Sequence, residues 1–227
     1  MNAARFSLAT SRDVDHAPGS SLTEDMMSEL ERWEARFSEP GYFFGTEPNA
    51  FLKSKAHLLK PGQKALTIAD GEGRNGVFLA EQGLDVLAVD ISPTALAKAR
   101  ALANERDVTL STEQADLATW NWPVDAFDVV VAIFFQFCTP KVRQQIFEKI
   151  KRALKPGGLL LMEGYRPEQL QYKSGGPSKI EQLYTRALLE DSFRDFSSLE
   201  IEEHDSVLKE GSRHSGMAAL IDLVGRK

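Results

Sequence analysis

The sequence predicts an α/β fold, a doubly wound and mostly parallel sheet that closes with an antiparallel hairpin. Three observations lead there. Short apolar runs alternate with amphipathic segments from residue 64 to residue 163, the pattern of strands laid side by side through helical crossovers. One run, Phe127–Ile133, is apolar except for Asp128, as a strand buried on both faces requires. Farther on, the extended stretches 197–208 and 216–224 are joined by a short Lys-Glu-Gly-Ser connection, and a short link forces antiparallel pairing. Five strands and that hairpin make a seven-stranded sheet with helices on both faces.

Taken in order, residues 1–21 are polar, mixed in charge and end in Ala17-Pro18-Gly19-Ser20-Ser21, so they read as a disordered tail. From Leu22 onward Met26, Leu30, Trp33 and Phe37 recur at helical spacing, predicting an amphipathic helix that packs on the domain. Pro48 opens a helix over 50–59, which Lys60-Pro61-Gly62 stops. The first strand covers 64–69. A helix over 74–82 ends at Gly83, and Asp85–Asp90 is the second strand. Ser92 and Pro93 form a cap and first-turn pair for a helix with Ala95, Leu96, Ala99 and Leu102 on its apolar face. A short third strand over 108–113 delivers Asp116 and Leu117. Beyond the fourth strand, Thr139 and Pro140 open a helix carrying Val142, Ile146, Ile150 and Leu154 on one side. Lys155-Pro156-Gly157-Gly158 then turns into a fifth strand over 159–163, and a last helix is expected over 178–191. No repeat or second-domain boundary interrupts this order.

Composition narrows the function. The chain has 227 residues, 42% apolar and 26% charged, with a net charge of −6 and no basic run. Nucleic acid, which needs clustered Lys and Arg, is therefore not an expected partner. No stretch approaches the ~20 apolar residues of a membrane span, and no signal-peptide core opens the chain, so a cytoplasmic protein is expected. A single cysteine, Cys138, precludes an internal disulfide. The histidines at 16, 57, 204 and 214 show no ligand spacing, and no metal is expected. The partner is a small molecule, and the chain is expected as a monomer or homodimer.

The chemistry centres on Leu66-Thr67-Ile68-Ala69-Asp70-Gly71-Glu72-Gly73-Arg74-Asn75-Gly76, a strand that enters a glycine turn and leaves as a helix. The next strand ends on Asp90, a carboxylate placed to take both hydroxyls of a ribose. From Gly71 the spacing also matches the dinucleotide fingerprint Gly-x-Gly-x-x-Gly, with an acid nineteen residues on. Asp70 and Glu72 argue against that reading, because they stand where a pyrophosphate needs an unopposed helix N-terminus. A ligand with a ribose, positive charge and no phosphate suits the turn better.

Ala-x-Gly-x-Gly-Arg-Asn after a strand, followed by Val-Asp-Ile-Ser, resembles the first two motifs of class I S-adenosylmethionine-dependent methyltransferases. The closest likeness is to the tellurite-resistance and thiopurine methyltransferase subgroup, and it covers roughly residues 31–225. The resemblance implies a Rossmann-like sheet with a reversed C-terminal hairpin and S-adenosyl-L-methionine as cofactor. It implies a methyltransferase domain over 22–227, in which 22–60 form a helical cap closing over the cofactor. On that likeness Ala69, Asp70, Gly71 and Gly73 meet the methionine part, Asp90 the ribose, and Asp116 the adenine amino group, while Ile91, Leu117 and Ile133 sandwich the adenine. Trp33 and Arg36 in the cap would face the sulfonium and the cofactor carboxylate. Thr67 departs from the pattern, since many relatives carry an acid there; Asp70 or Glu72 is expected to brace the amino group instead. Asp90, as a strand-tip acid, is expected to carry little structural weight.

The acceptor side is expected to form from Phe134-Phe135-Gln136-Phe137-Cys138 and from Gly164-Tyr165-Arg166-Pro167, with Tyr42 in the cap loop. Tyr42, Gln136, Tyr165 and Arg166 are the substrate-side candidates. None of these groups is a general base at neutral pH, so no catalytic residue is assigned and a soft or anionic acceptor is expected. Two alternatives stand beside this reading, a nicotinamide (NAD(P)-binding) oxidoreductase and a non-catalytic module that binds S-adenosylmethionine.

Overall fold

The computed structural model of the protein describes residues 28–172, 174–211 and 214–227. The expected tail, the start of the first helix with Met26, and His16 lie outside these residues. Seven strands form one sheet in the order β3-β2-β1-β4-β5-β7-β6: β1 (Lys64–Ile68), β2 (Asp85–Asp90), β3 (Ser111–Gln114), β4 (Phe127–Ile133), β5 (Leu154–Tyr165), β6 (Ser198–Glu210) and β7 (His214–Arg226). Strands β1 to β5 pair in parallel, and β7 runs antiparallel to both β5 and β6. The expected hairpin is present, with its later strand inserted next to β5.

The helices are α1 (Glu29–Phe37), α2 (Ala50–Ser54), α3 (Arg74–Glu81), α4 (Pro93–Glu105), α5 (Pro140–Ala153) and α6 (Arg186–Ser192). Their starts are written in side chains. Ser28 and Glu31 form a reciprocal capping box at α1, and Asn49, Ser92, Thr139 and Thr185 each accept a first-turn N–H of the helix that follows. The helix expected over 178–191 is correspondingly shorter. Leu183 and Tyr184 are buried in extended backbone, the Tyr184 N–H donates to Tyr165 O at 2.9 Å, and Thr185 caps α6 only after that. Helix α2 also ends early, at Ser54, and a single tighter turn, Ala56–Leu58, completes the expected segment.

Alternate residues of each central strand feed two cores. Leu66, Ile68, Val130, Ala132, Leu160 and Met162 pack on one face with Phe135, Phe147 and Tyr184. Ala65, Val129, Val131, Leu159 and Leu161 pack on the other with Phe51, Leu52 and Phe78. Burying a side chain such as Leu66 stabilises the fold by about 1.5–3 kcal/mol. Cys138 is buried, and burial pushes its thiol up to about 11, which keeps it protonated and inert.

Candidate functional site

The strand order reverses between β1 and β4, and in sheets of this kind ligands enter at the carboxyl ends of the strands beside that switch point. Two non-glycine residues mark the place. Ala69 follows β1 at φ +48° and Phe134 follows β4 at φ +55°, both in the left-handed region. Such backbone costs on the order of 1–3 kcal/mol per residue and concentrates at functional sites.

Inside the turn, Asp70 is buried and faces the protein. It accepts from Thr67 Oγ1 at 2.7 Å and from the Gly76 N–H at 3.2 Å, so it ties the strand to the first turn of α3. Burial pushes its carboxyl up to about 6, although the Thr67 and Gly76 bonds oppose that rise. Glu72 is committed as well, accepting from the Phe43 N–H at 2.6 Å and pairing with Lys98 at 2.8 Å. Each carboxylate that was expected to replace the missing acid at Thr67 therefore has intramolecular partners. Gly71, at φ +59°, lies against the cap: a Cβ there would stand 3.3 Å from the Phe37 ring. Gly73 is fixed by helix packing, since a Cβ would sit 2.6 Å from that of Ala99.

Asp90 stands at the tip of β2, accepting from the Gly71 N–H at 2.8 Å and the Ser92 N–H at 2.9 Å. Burial raises its carboxyl above the ordinary value, against the pull of those bonds. The expectation of little structural weight is corrected here, because two buried amides depend on it. Beside it, Ile91 is half-buried at the start of the loop. Asp116 is exposed and accepts from the Ala118 N–H at 2.8 Å. Leu117 and Ile133 belong to the cores on opposite faces of the sheet, so the structure does not bring them together as two sides of one sandwich.

Helix α1 covers the turn. Trp33 stacks on Phe37 at 5.5 Å and lies against Phe44 and Phe137 at 6.5 and 6.3 Å, and the Arg36 guanidinium sits 4.8 Å over the Trp33 ring. Glu34 reaches across to the start of α4, accepting from Ser92 Oγ and from Thr94 Oγ1 at 2.7 Å. Lys98 holds the following loop by donating to Glu39 O, Gly41 O and Glu72 at 2.6–2.8 Å. The hairpin tip closes the loop from the other side, where a Cβ on Gly211 would stand 2.6 Å from Phe43 O.

Of the expected acceptor residues, Gln136, Tyr165 and Arg166 lie together and Tyr42 stands apart. Tyr42 packs on the α3–α4 pair with its hydroxyl 3.3 Å from Lys98 O. Gln136 is buried and clamps the Tyr165 backbone, donating to Tyr165 O at 2.9 Å and accepting from its N–H at 2.5 Å. Arg166 bridges to the hairpin through Leu220 O at 2.9 Å and Asp205 at 2.5 Å. Tyr165 is buried and forms an aromatic wall with Phe134, on which it stacks at 4.7 Å; burial raises its phenol, with Glu210 and Glu163 adding to the effect.

Sequence reasoning missed a buried polar cluster beneath this wall. Asn49 Nδ2 donates to Glu163 at 2.5 Å and to Glu210 at 3.1 Å, and Arg74 pairs with Glu210 at 2.8 Å with both side chains under a tenth exposed. Burial, then Asp222, raises the Glu163 carboxyl well above its usual range. One signal was available: like Asp90, Glu163 is an acid closing an apolar strand run.

An open, doubly wound sheet with a glycine turn at its switch point and a reversed hairpin defines a Rossmann-like nucleotide-binding protein. Residues 65–158 match the methyltransferase-domain family. A glycine/sarcosine N-methyltransferase of Parasynechococcus marenigrum is 29% identical over 160 residues, 67% of this chain and 53% of that protein. The chain spans about half the length of the curated relatives it matches. TehB from Haemophilus influenzae has the same fold at a TM-score of 0.66 and 18% identity, covering 87% of this chain and 66% of that one. A protein solved in work on the conversion of a disulfide bond into a thioacetal group during echinomycin biosynthesis gives 0.65 and 20%, covering 87% and 90%. Residues 65–158 thus carry a methyltransferase domain, and the chain around it is similar to S-adenosylmethionine-dependent methyltransferases.

S-adenosylmethionine is the family's cofactor. The donor set fits it: Asp90 offers a carboxylate at the tip of β2, the residues from Ala69 to Gly73 bring backbone groups, and an aromatic cluster faces the turn. Among the described residues no helix is long and apolar enough to cross a membrane.

Proposed function

We propose that the chain methylates a small-molecule acceptor, and that the acceptor is a soft or anionic nucleophile. The observation that carries the reading is Asp90, a buried carboxylate hydrogen-bonded to the Gly71 N–H at the switch point. On this reading Asp90 takes the ribose hydroxyls, the turn from Ala69 to Gly73 receives the methionine part, and Trp33 and Arg36 close over it. The cofactor supplies a methyl group on an already activated sulfonium leaving group. This chain's residues align the acceptor and exclude water from the approach.

The preference for a soft acceptor rests on Gln136, Tyr165 and Arg166, none of which is a base at neutral pH. Gln136 and Arg166 are held by backbone and hairpin, an Arg cannot accept a proton, and a phenol ordinarily titrates near 10. An acceptor that arrives deprotonated, such as a thiolate, needs only placement against the aromatic wall.

Titration calorimetry and thermal shift with S-adenosylhomocysteine and with NAD test the ligand, and a radiolabelled-methyl screen of thiols, amines and alcohols tests the acceptor. S-adenosylhomocysteine should raise Tm by binding only the folded state. A shift with NAD alone overturns the reading, and cofactor binding without turnover on any acceptor favours the non-catalytic module.

A further inference from the structure

We propose that the reversed part of the sheet holds a divalent metal ion of the zinc class between Glu163 of β5, Asp222 of β7 and His204 of β6. The pairing register brings these residues together. Glu163 and Asp222 are directly opposite across β5–β7, and Glu202 faces Asp222 across β6–β7. His204, two residues on from Glu202, projects from the same face. One ligand atom from each of the three lies within 4.8 Å of the others. An ion with bonds of about 2.0–2.2 Å to nitrogen and oxygen is reached from such a set by small side-chain rotations.

The surroundings orient these groups as ligands. His204 Nδ1 is 2.8 Å from Ser206 Oγ, which turns Nε2 inward, 3.1 Å from Asp222 Oδ2. Asn49 donates to Glu163 and fixes its carboxyl. Hydrogen bonds of this kind to the far side of a ligand set ring tautomer and carboxylate direction in metal sites. An independent observation supports the site: Asp222 Oδ1 is buried with no hydrogen-bond partner other than the adjoining Glu163 carboxyl. Two carboxyls side by side in a protein interior share a proton or take up a compensating positive charge, and an ion supplies that charge. The His204 side chain is 29% exposed, which leaves an entry path and room for a water in the remaining coordination position. Imidazole with two carboxylates favours zinc over magnesium or calcium, which take oxygen ligands alone.

The ion would clamp β5, β6 and β7 together, and the inference does not depend on the methyltransferase reading. The test uses the full chain freed of metal with a chelator and titrated with Co2+, followed by visible d–d absorption, and with Zn2+, followed by Tm. One saturable equivalent of Co2+, displaced by Zn2+ and accompanied by a rise in Tm, is expected. His204→Ala should abolish the absorption. Ser206→Ala, which leaves all three ligands in place and keeps the fold, should weaken binding about 10–100-fold. Absent Co2+ absorption in the parent chain overturns the proposal, and so does binding that His204→Ala and Ser206→Ala both leave unchanged.

Discussion

Asp70 holds its proton to about pH 6 in the folded chain, against an ordinary value of 3.8. Between those values the folded state binds more protons than the unfolded one, so stability falls as pH rises from about 4 to 6 and is flat above. A difference of about two pH units corresponds to roughly 3 kcal/mol. Asp70→Asn keeps an acceptor for Thr67 and Gly76 and cannot ionise. Urea denaturation at pH 4 and pH 7 should show the variant gaining about 1–3 kcal/mol on the parent at the higher pH; equal gaps at both values would refute the buried-acid account. Asp90→Ala should lower S-adenosylhomocysteine affinity by at least about a hundredfold in calorimetry, since two bonds to a carboxylate contribute about 1.5–3 kcal/mol each. Its Tm should fall too, because the Gly71 and Ser92 amides lose their acceptor. At this scale the sequence announced residue types but not their partners. Asp70 and Asp90 both read as ligand carboxylates, and only the backbone path shows that one faces inward. Gln136 and Arg166 lay in the right loops yet are held by main-chain atoms elsewhere in the fold.

Helix α1 and the loop after it are held at three points, by Glu34 on the first turn of α4, by Lys98 on the loop carbonyls, and by the hairpin tip at Gly211. A cap held mainly by side-chain bonds opens more readily than a core helix. Limited proteolysis within 28–47 should therefore slow when S-adenosylhomocysteine is added, and Glu34→Ala should be cut faster in both states. Identical rates with and without ligand would leave α1 as ordinary packing. Most elements were legible from periodicity and caps: the Ser92-Pro93 and Thr139-Pro140 pairs begin their helices where expected. The final helix was not, since Leu183 and Tyr184 continue an apolar pattern that tertiary burial uses as extended chain. The third strand begins later than expected, at Ser111, because Val108 is held in a turn through Ala103 O.

For the molecule as a whole, the alternation of strands and helices foretold the parallel sheet, and the short link foretold the hairpin. The polar cluster beneath the site could not be read, because Asn49, Arg74, Glu163 and Glu210 meet only after the hairpin folds back over the strand tips. Nor does any local pattern say that β7, following β6 in the chain, lies between β5 and β6. A chain stopped at Gly211 should accordingly be found mostly in the pellet after expression, with the full chain mostly soluble. Comparable solubility of the two would show that β6 alone can take the place of β7.

That insertion sets a schedule for synthesis on the ribosome. Until β7 has emerged, the Leu159-Leu160-Leu161-Met162 run of β5 is an open edge, apolar and unpaired on one side, while β6 waits with no neighbour to join. Exposed edges of that kind recruit other chains. The nascent protein is thus most vulnerable between the emergence of β5 and that of β7, and a chaperone that shields β5 over that interval should raise the yield more than one acting on the first strands.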